Sequence, residues 1–407
     1  MSKYPEEIES LKQTACAAID RAAEELGRLS YDIWSHPEMA YQEVHAHQLL
    51  TDYLESSGFH VQRKYVVDTG FSAKPNQSAE RKPNIAILCE YDALPGVNHG
   101  CGHNLIAEVG VAAALGIKAA LEKEAYQSGQ LTVYGTPAEE EGGGKVDFIR
   151  AGAFNDVDVA MMSHPGRYTG IIAKNLAMTE VYVTYHGKES HASGFPWEGI
   201  NALDAAVMAY NNLSCMRQQI KPSWRVHGII KRGGLKPNII PGETELQYYL
   251  RTPTATELKQ LMENAKRCFD GAATATGCTV SYEWDDKPYD NVITNKVIAK
   301  LYEENAVKLG VVLPTDPEIL NRTTGSTDMG NVTHVVPGIH PHFAIPTKDP
   351  AHTHGFCTAA GSSEAQPMAL REGKIMACTA IDIYSQPHLL HEIKAVFQED
   401  KKHEENQ

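Results

Sequence analysis

The chain has 407 residues, 42% hydrophobic and 22% charged, proportions that exclude global disorder and leave room for a large core and more than one domain. Its 37 Lys and Arg against 51 Asp and Glu give a formal net charge of −14. That balance argues against nucleic acid or an anionic membrane as a partner and weakly favours neutral or cationic small substrates. Apolar residues at helical spacing (Leu11, Ala15, Ala18, Ile19, Ala22) predict a helix over residues 8–28, and a second is expected over 43–56, stopped by Gly58. Residues 84–91 form a short apolar run that reads as a buried strand. An alanine-rich helix over 104–123, a strand over 130–136, a short helix over 145–151 and a strand over 157–163 follow. Strand and helix alternating at these lengths predict an α/β domain with a mostly parallel, helix-covered sheet.

From residue 178 the texture changes. A period-two strand is expected over 179–186, then a helix over 199–216, strands over 226–231 and 244–250, a helix over 256–274 and a strand over 279–284. This β-α-β-β-α-β order is that of a ferredoxin-like α+β unit. After Pro288 the chain returns to helix (292–309), loop-rich segments and a long helix over 366–384. A discontinuous catalytic domain, residues 1–177 and 288–407, is therefore expected around an insert, 178–287. The charged tail, 398–407, is expected to fray. No run of roughly 18 apolar residues is evident, so no membrane span is expected. Residues 1–10 lack the pattern of a secretory signal. Eight scattered cysteines form no disulfide framework, and Cys89, Cys215 and Cys378, lying in apolar runs, read as buried thiols of a reducing cytoplasm.

Three strands of the first sheet each end in an unusual cluster: Asp92-Ala-Leu-Pro-Gly and Asn98-His-Gly-Cys-Gly-His-Asn104, then Thr136-Pro-Ala-Glu-Glu-Glu-Gly-Gly-Gly144, then Ser163-His-Pro-Gly166. Ligands of open α/β sheets bind beyond the carboxyl ends of the strands, so Cys101, His103, Glu139, Glu140 and His164 should meet there. A thiol, imidazoles and carboxylates together suit zinc, or manganese and cobalt where oxygen dominates. His352-Thr-His354 lies in a late loop able to close over the same mouth. Each residue alone has a plain structural reading, a loop histidine or a solvated acidic run; three successive strand ends with ligand-type residues do not. Glu139 and Glu140 are adjacent, and neighbours in extended chain point to opposite sides. One is expected to coordinate while the other serves as general base toward an activated water. A nucleophilic Cys101 with His103 or His99 is the alternative, and it leaves both glutamates unemployed.

Read in order, Ser35-His-Pro-Glu38, Asp92-Ala-Leu-Pro95, Gly100-Cys-Gly-His103, Pro137-Ala-Glu-Glu140, Gly187-Lys-Glu-Ser-His191 and Asn238-Ile-Ile-Pro241 resemble the M20 family, the dinuclear metallopeptidases that include aminoacylase, bacterial glutamate carboxypeptidase and plant auxin-conjugate amidohydrolases. Thr324-Gly-Ser-Thr-Asp-Met-Gly-Asn331 and Val336-Pro-Gly-Ile-His-Pro341 resemble the branch holding aminobenzoyl-glutamate hydrolase and dipeptidases that act on C-terminal basic residues. The resemblance implies two divalent ions (zinc or manganese, possibly cobalt) on Cys101, His103, Glu140, His164 and His352, with Glu139 as general base. His352 is taken over His354 because His352 to Phe356 fits the family's His-[Ser/Thr]-x-x-Phe. It further implies His191 as oxyanion stabiliser, Asn238 and Arg251 as carboxylate grips, and Asp92 as the acid behind a ligand. The insert would be a lid and dimerisation domain, and the protein a cytoplasmic homodimer hydrolysing the amide bond of a dipeptide. An aminobenzoyl-glutamate or N-acyl-amino-acid amidohydrolase, and a catalytically silent binding relative, are the other readings. Two departures stand out: Asn104 where many relatives carry Asp, which removes an acid behind the ligands, and Thr327-Asp-Met329 where they carry Glu-Asp-Phe, which alters the pocket wall.

Overall fold

A computed structural model describes residues 5–76, 83–123 and 129–405. In chain order the elements are α1 (Pro5–Ser35), α2 (Val44–Ser56), β1 (Phe59–Arg63), β2 (Phe71–Pro75), β3 (Asn84–Cys89), α3 (His103–Leu121), β4 (Gln130–Gly135), α4 (Gly144–Arg150), β5 (Val159–Met161), β6 (His164–Gly166), β7 (Ala177–His186), α5 (Ala202–Met216), β8 (Arg225–Arg232), β9 (Glu243–Thr252), α6 (Ala255–Thr276), β10 (Thr279–Trp284), α7 (Lys296–Lys308), α8 (Pro317–Leu320), α9 (Met329–Val335), β11 (Gly338–Ile339), β12 (His342–Ala344), α10 (His354–Ala360), α11 (Gln366–Ser385) and α12 (Pro387–Glu405). They divide into two compact units, Met1–Lys174 with Val292–His403, and Asn175–Asn291 with Glu404–Gln407.

The first unit is built on a six-stranded sheet of order β1-β2-β4-β3-β5-β11. Its four strands β4, β3, β5 and β11 run parallel, while β1 and β2 pair antiparallel at one edge. Because side chains alternate along a strand, β3 feeds two layers. Ile85, Ile87 and Cys89 join the large core with α1, α3 and α11, whereas Ala86 and Leu88 join a smaller one with Phe148, Met329 and Val332. Parallel strands need both faces covered, which explains why β3 is buried throughout and apolar over residues 85–89. The carboxyl ends of β3, β4 and β5 lie side by side, since Cys89 is registered with Gly135 and Ile87 with Met161.

In the second unit β7, β8, β9 and β10 form an antiparallel sheet of order β10-β7-β9-β8, the ferredoxin-like arrangement. One face, Val181, Val183, Tyr185, Leu246, Tyr248 and Leu250, packs with Ala205, Ala209, Leu258, Leu261 and Phe269 of α5 and α6.

Several expectations are corrected. The tail is helical to Glu405 and does not fray from residue 398; Ile393 and Phe397 are buried, which anchors α12. Cys215 is exposed on α5, whereas Cys89 and Cys378 are buried. Among the described residues one helix, α3, is long and apolar enough to cross a membrane, contrary to the reading of the chain. It is mostly buried between α1, α11 and the sheet, so its composition is that of a core helix.

Candidate metal centre

The loop after β3 carries the first half of the site. His103 opens α3, and Gly102 precedes it at φ 81°, a conformation that favours glycine. A Cβ there would also lie 2.7 Å from the Pro165 ring, so glycine brings the Cys101–His103 segment against β6. Asp92, buried, accepts at Oδ1 from His103 Nδ1 at 3.0 Å and at Oδ2 from the Glu140 backbone N–H at 3.0 Å. One carboxylate thus orients an imidazole and also holds the backbone of the Glu139–Glu140 turn. His103 Nε2 is left facing Glu90 at 3.6 Å, Glu140 at 3.7 Å and Glu139 at 3.9 Å.

The other groups converge from separate elements. His164, at the start of β6, directs Nδ1 to the Pro165 carbonyl at 2.6 Å and Nε2 to Cys101 Sγ at 3.4 Å. His352 stands at φ 67°, its backbone N–H donating to the Gly100 carbonyl at 2.8 Å and its Nε2 lying 3.5 Å from Glu140 Oε1. Donor atoms of Cys101, His103 and His164 lie within 4.8 Å of one another, as do those of Cys101, Glu140 and His352, and of His103, Glu139 and Glu140. The structure therefore brings together all six residues of the first unit expected around the ions, with Asp92 behind them.

These groups fit divalent cations. His103 Nε2 and Glu140 Oε1 are buried without a hydrogen-bond partner, as is Glu90 Oε2 beside them, and orphaned buried polar atoms are costly unless something else satisfies them. Burial, then Glu90 and Glu140, holds the Glu139 carboxyl well above its ordinary value. Burial, then Glu140, raises the Cys101 thiol, and burial, then His342 and His340, pushes His164 down. Burial opposes ionisation of Asp92 too, but the adjoining His103 outweighs it and the carboxyl lies below its usual value. Burial opposes the charge on His103, but Asp92 and then Cys101 outweigh it and hold the imidazole well above its ordinary value. Imidazoles, a thiol and carboxylates that shed protons to a cation are the donor types of zinc-type ligation. The raised thiol is the reverse of what a cysteine nucleophile needs, and His99 turns its Nε2 to the Ile33 carbonyl at 3.1 Å. Of the two bases that alternative offered, His99 is thus turned away, while His103 stays beside the thiol with its Nδ1 held by Asp92.

The expected divergence of the two glutamates is corrected. Ala138 sits at φ 62°, and Glu139 and Glu140 occupy a turn, so both carboxylates reach toward His103. Asn104 lies away from the ligands: its side-chain N–H groups bond Ser30 Oγ at 3.1 Å and the Ala360 carbonyl at 2.9 Å, tying α3 to α1 and α10. Met329 is core, packed with Ile106 and Met162, not pocket wall.

The sequence reading missed a buried ionic triad beneath the site. Lys145, which follows the tight Gly142–Gly144 turn, bonds Glu90 through Nζ, Asp328 Oδ1 at 2.8 Å and, through its backbone N–H, Asp328 Oδ2 at 2.8 Å. Oxygens of Glu90, Glu139 and Asp328 lie within 4.8 Å of one another. The signal was a glutamate placed directly after the apolar run over residues 85–89.

In the second unit His191 is exposed, its Nδ1 accepting from the Gly194 backbone N–H at 3.1 Å. The Asn238 loop lies beside it, with Ala192 N donating to the Asn238 carbonyl at 3.1 Å. Arg251 does not join them. It stands near the far end of β9, opposite Met178 at the start of β7; its eight-residue separation from Glu243 spans roughly 27 Å at ~3.4 Å per residue.

Comparison with known proteins is consistent with this arrangement. Residues 174–276 match the peptidase dimerisation domain of the M20 family. The chain is 52% identical to a Mus musculus Xaa-Arg dipeptidase, with 96% of this chain and 93% of the relative covered. It is 28% identical to a p-aminobenzoyl-glutamate hydrolase component of Escherichia coli, covering 94% of each. A dinuclear metal-binding M20 peptidase from Bacillus subtilis superposes with a TM-score of 0.69 at 20% identity, over 90% of this chain and 99% of that one. Of the two branches the late motifs resemble, the β-alanyl-lysine (Xaa-Arg) dipeptidase is thus the nearer, and the protein belongs to the M20 family of metallopeptidases.

Proposed function

We propose that the protein is a metal-dependent dipeptidase that hydrolyses the amide bond preceding a C-terminal basic residue, arginine or lysine. The observation that carries the reading is the convergence of Cys101, His103, Glu139, Glu140, His164 and His352 beyond three strand ends. The 52% identity to an Xaa-Arg dipeptidase supports the substrate. Cys101, His103, Glu140, His164 and His352 would hold two divalent ions, zinc, manganese or cobalt. Bound there, such ions supply Lewis acidity, polarising the scissile carbonyl and lowering the pKa of a water to roughly 7. The chain does the rest. Glu139, raised by burial, takes the proton of the attacking water and returns it to the leaving amine. Asp92 keeps His103 in one tautomer. On the insert, the accepted hydrogen bond at Nδ1 leaves His191 its proton on Nε2, the form that donates to an oxyanion. The guanidinium of Arg251 suits the free carboxylate of the product side.

The same reading makes the protein a homodimer through residues 174–276. Strand β8 is an edge strand, Ile229 is 58% exposed on it, and Val207 and Tyr210 of α5 are exposed as well; large apolar groups at an unpaired edge favour a second copy. All eight cysteines are free thiols, which supports a reducing, cytoplasmic setting.

The test is hydrolysis of a dipeptide panel by the purified protein, with chelator and with zinc, manganese or cobalt restored. Fastest release from substrates ending in arginine or lysine, abolished by chelator, is expected. Preference for aminobenzoyl-glutamate or an N-acyl amino acid would overturn the substrate assignment, and absence of any metal-dependent hydrolysis would leave a silent binding relative.

A further inference from the structure

We propose a further metal site, separate from the catalytic cluster, formed by Asp32, His36 and His45. Asp32 lies in the last turn of α1, His36 four residues on and just past its end, and His45 in the first turn of α2. Oδ1 of Asp32 is 2.9 Å from His36 Nδ1 and 2.8 Å from His45 Nε2. The two rings lie 4.4 Å apart between centroids, and the three donor atoms are within 4.8 Å of one another. His36 Nδ1 also lies 2.9 Å from the Asp32 backbone carbonyl and 3.2 Å from Ser35 Oγ, contacts that an ion would replace. Two imidazoles and a carboxylate this close are a ligand set for borderline first-row cations such as zinc and copper(II), not for calcium or magnesium. Bonds of about 2.0–2.1 Å require donor spacings of roughly 3.0–3.4 Å, an opening of a few tenths of an ångström from those found. To meet a cation, each imidazole presents the lone pair of the nitrogen facing Asp32, with any proton carried on the other ring nitrogen. The side chains are 40–58% exposed, so the ion would exchange freely and complete its shell with water.

The scaffold is set for the site. Glu38 accepts from the backbone N–H groups of His45 at 2.9 Å and Ala46 at 3.0 Å, which fixes the start of α2 and hence the His45 ring. The loop between the two histidines also braces the catalytic loops. The Glu38 carbonyl accepts from Ala93 N at 2.8 Å, Tyr41 donates to the Gly142 carbonyl at 2.8 Å, and Glu43 accepts from Ala138 N at 2.9 Å. Ala93 adjoins Asp92 and Ala138 adjoins Glu139. A cation joining α1 to α2 therefore closes a loop that supports both ends of the catalytic cluster, and its occupancy stabilises that loop.

The test compares the full-length wild type with the double variant His36→Gln, His45→Gln, and with Asp32→Asn as a milder second variant. After equilibration against the same free zinc concentration, elemental analysis is expected to give one zinc per chain fewer in the double variant. Excess zinc should raise Tm by a few degrees in the wild type and less in either variant. Copper(II) added to zinc-loaded wild type should show nitrogen hyperfine coupling in its electron paramagnetic resonance that both histidine substitutions remove. Equal zinc content and equal thermal shifts in all three proteins, or unchanged hyperfine structure, would overturn the site. Loss of the catalytic ions would appear in the wild type as well, so failure of the catalytic reading is distinguishable.

Discussion

At the residue scale the chemistry rests on which groups share His103. Asp92 takes its Nδ1, and three carboxylates crowd its Nε2. If Glu139 is the base, Glu139→Gln retains shape and leaves the ligands in place; bound metal measured by elemental analysis should be unchanged while kcat falls by roughly 10²–10⁴. Near-normal turnover would remove Glu139 from that role. Cys101 makes the complementary case. Its Sγ faces His164 Nε2 at 3.4 Å, and Cys101→Ser exchanges a soft ligand for a weak one, so metal content should drop at limiting zinc; full occupancy would strike it from the ligand set. These residues were legible because ligand-type side chains recur at consecutive strand ends among glycines and prolines. Glu90, Lys145 and Asp328 were not. A buried ion triad leaves no period, and Asp328 lies some 180 residues from its partner Lys145.

At the element scale, hydrophobic period located most of the long pieces and even the short α4 and β5, but lost the edge strands β1 and β2, β6 and the charged α12. Strands β3, β4 and β7 are apolar runs or clean alternations, whereas β1 spans five residues of which three, His60, Gln62 and Arg63, are polar, and β6 contains a proline. Helix α12 was hidden by its charge, since only a few buried residues hold it down. Two predictions belong here. Lys145 opens α4 against the end of β3 and the start of α9; Lys145→Met would leave Glu90 and Asp328 buried without a counter-charge, a loss of ~3–5 kcal/mol, read as a lowered midpoint in urea. An unaltered midpoint would show the triad to be dispensable. Within α3, Glu108 is buried and accepts at Oε2 from the Gln366 side chain, at the start of α11, at 3.1 Å; burial lifts its carboxyl from 4.5 to about 8. Below pH 4.5 the carboxyl is protonated in both states and its burial costs no charge; between 4.5 and about 8 the unfolded chain ionises it while the folded one does not, so stability falls with rising pH across that window. Glu108→Gln lacks this loss. Melting curves should show the variant gaining on the wild type between about pH 5 and pH 8.5, by up to ~1.4 kcal/mol per pH unit; parallel pH profiles would refute the shift.

At the scale of the whole molecule, the β-α-β-β-α-β order exposed the insert in the sequence, because each element there is long and its period unambiguous. What the order did not convey is that His191 and Asn238 sit together while Arg251 stands at the opposite end of β9. A dipeptide is far shorter than that span. If His191 holds the oxyanion and Arg251 the substrate carboxylate, as proposed above, one substrate meets both only when the two come from different copies of the chain, which would require a dimer. Complementation shows which copy His191 serves. Glu139→Gln and His191→Ala are each expected to be nearly inactive. Mixed, dissociated and reassociated at random, half the dimers would pair one of each, and each such dimer would hold one site with an intact Glu139 and an intact His191. Activity should return to about a quarter of the wild-type value under this isologous pairing. If His191 serves its own chain, every site in the mixture carries one defect and nothing returns.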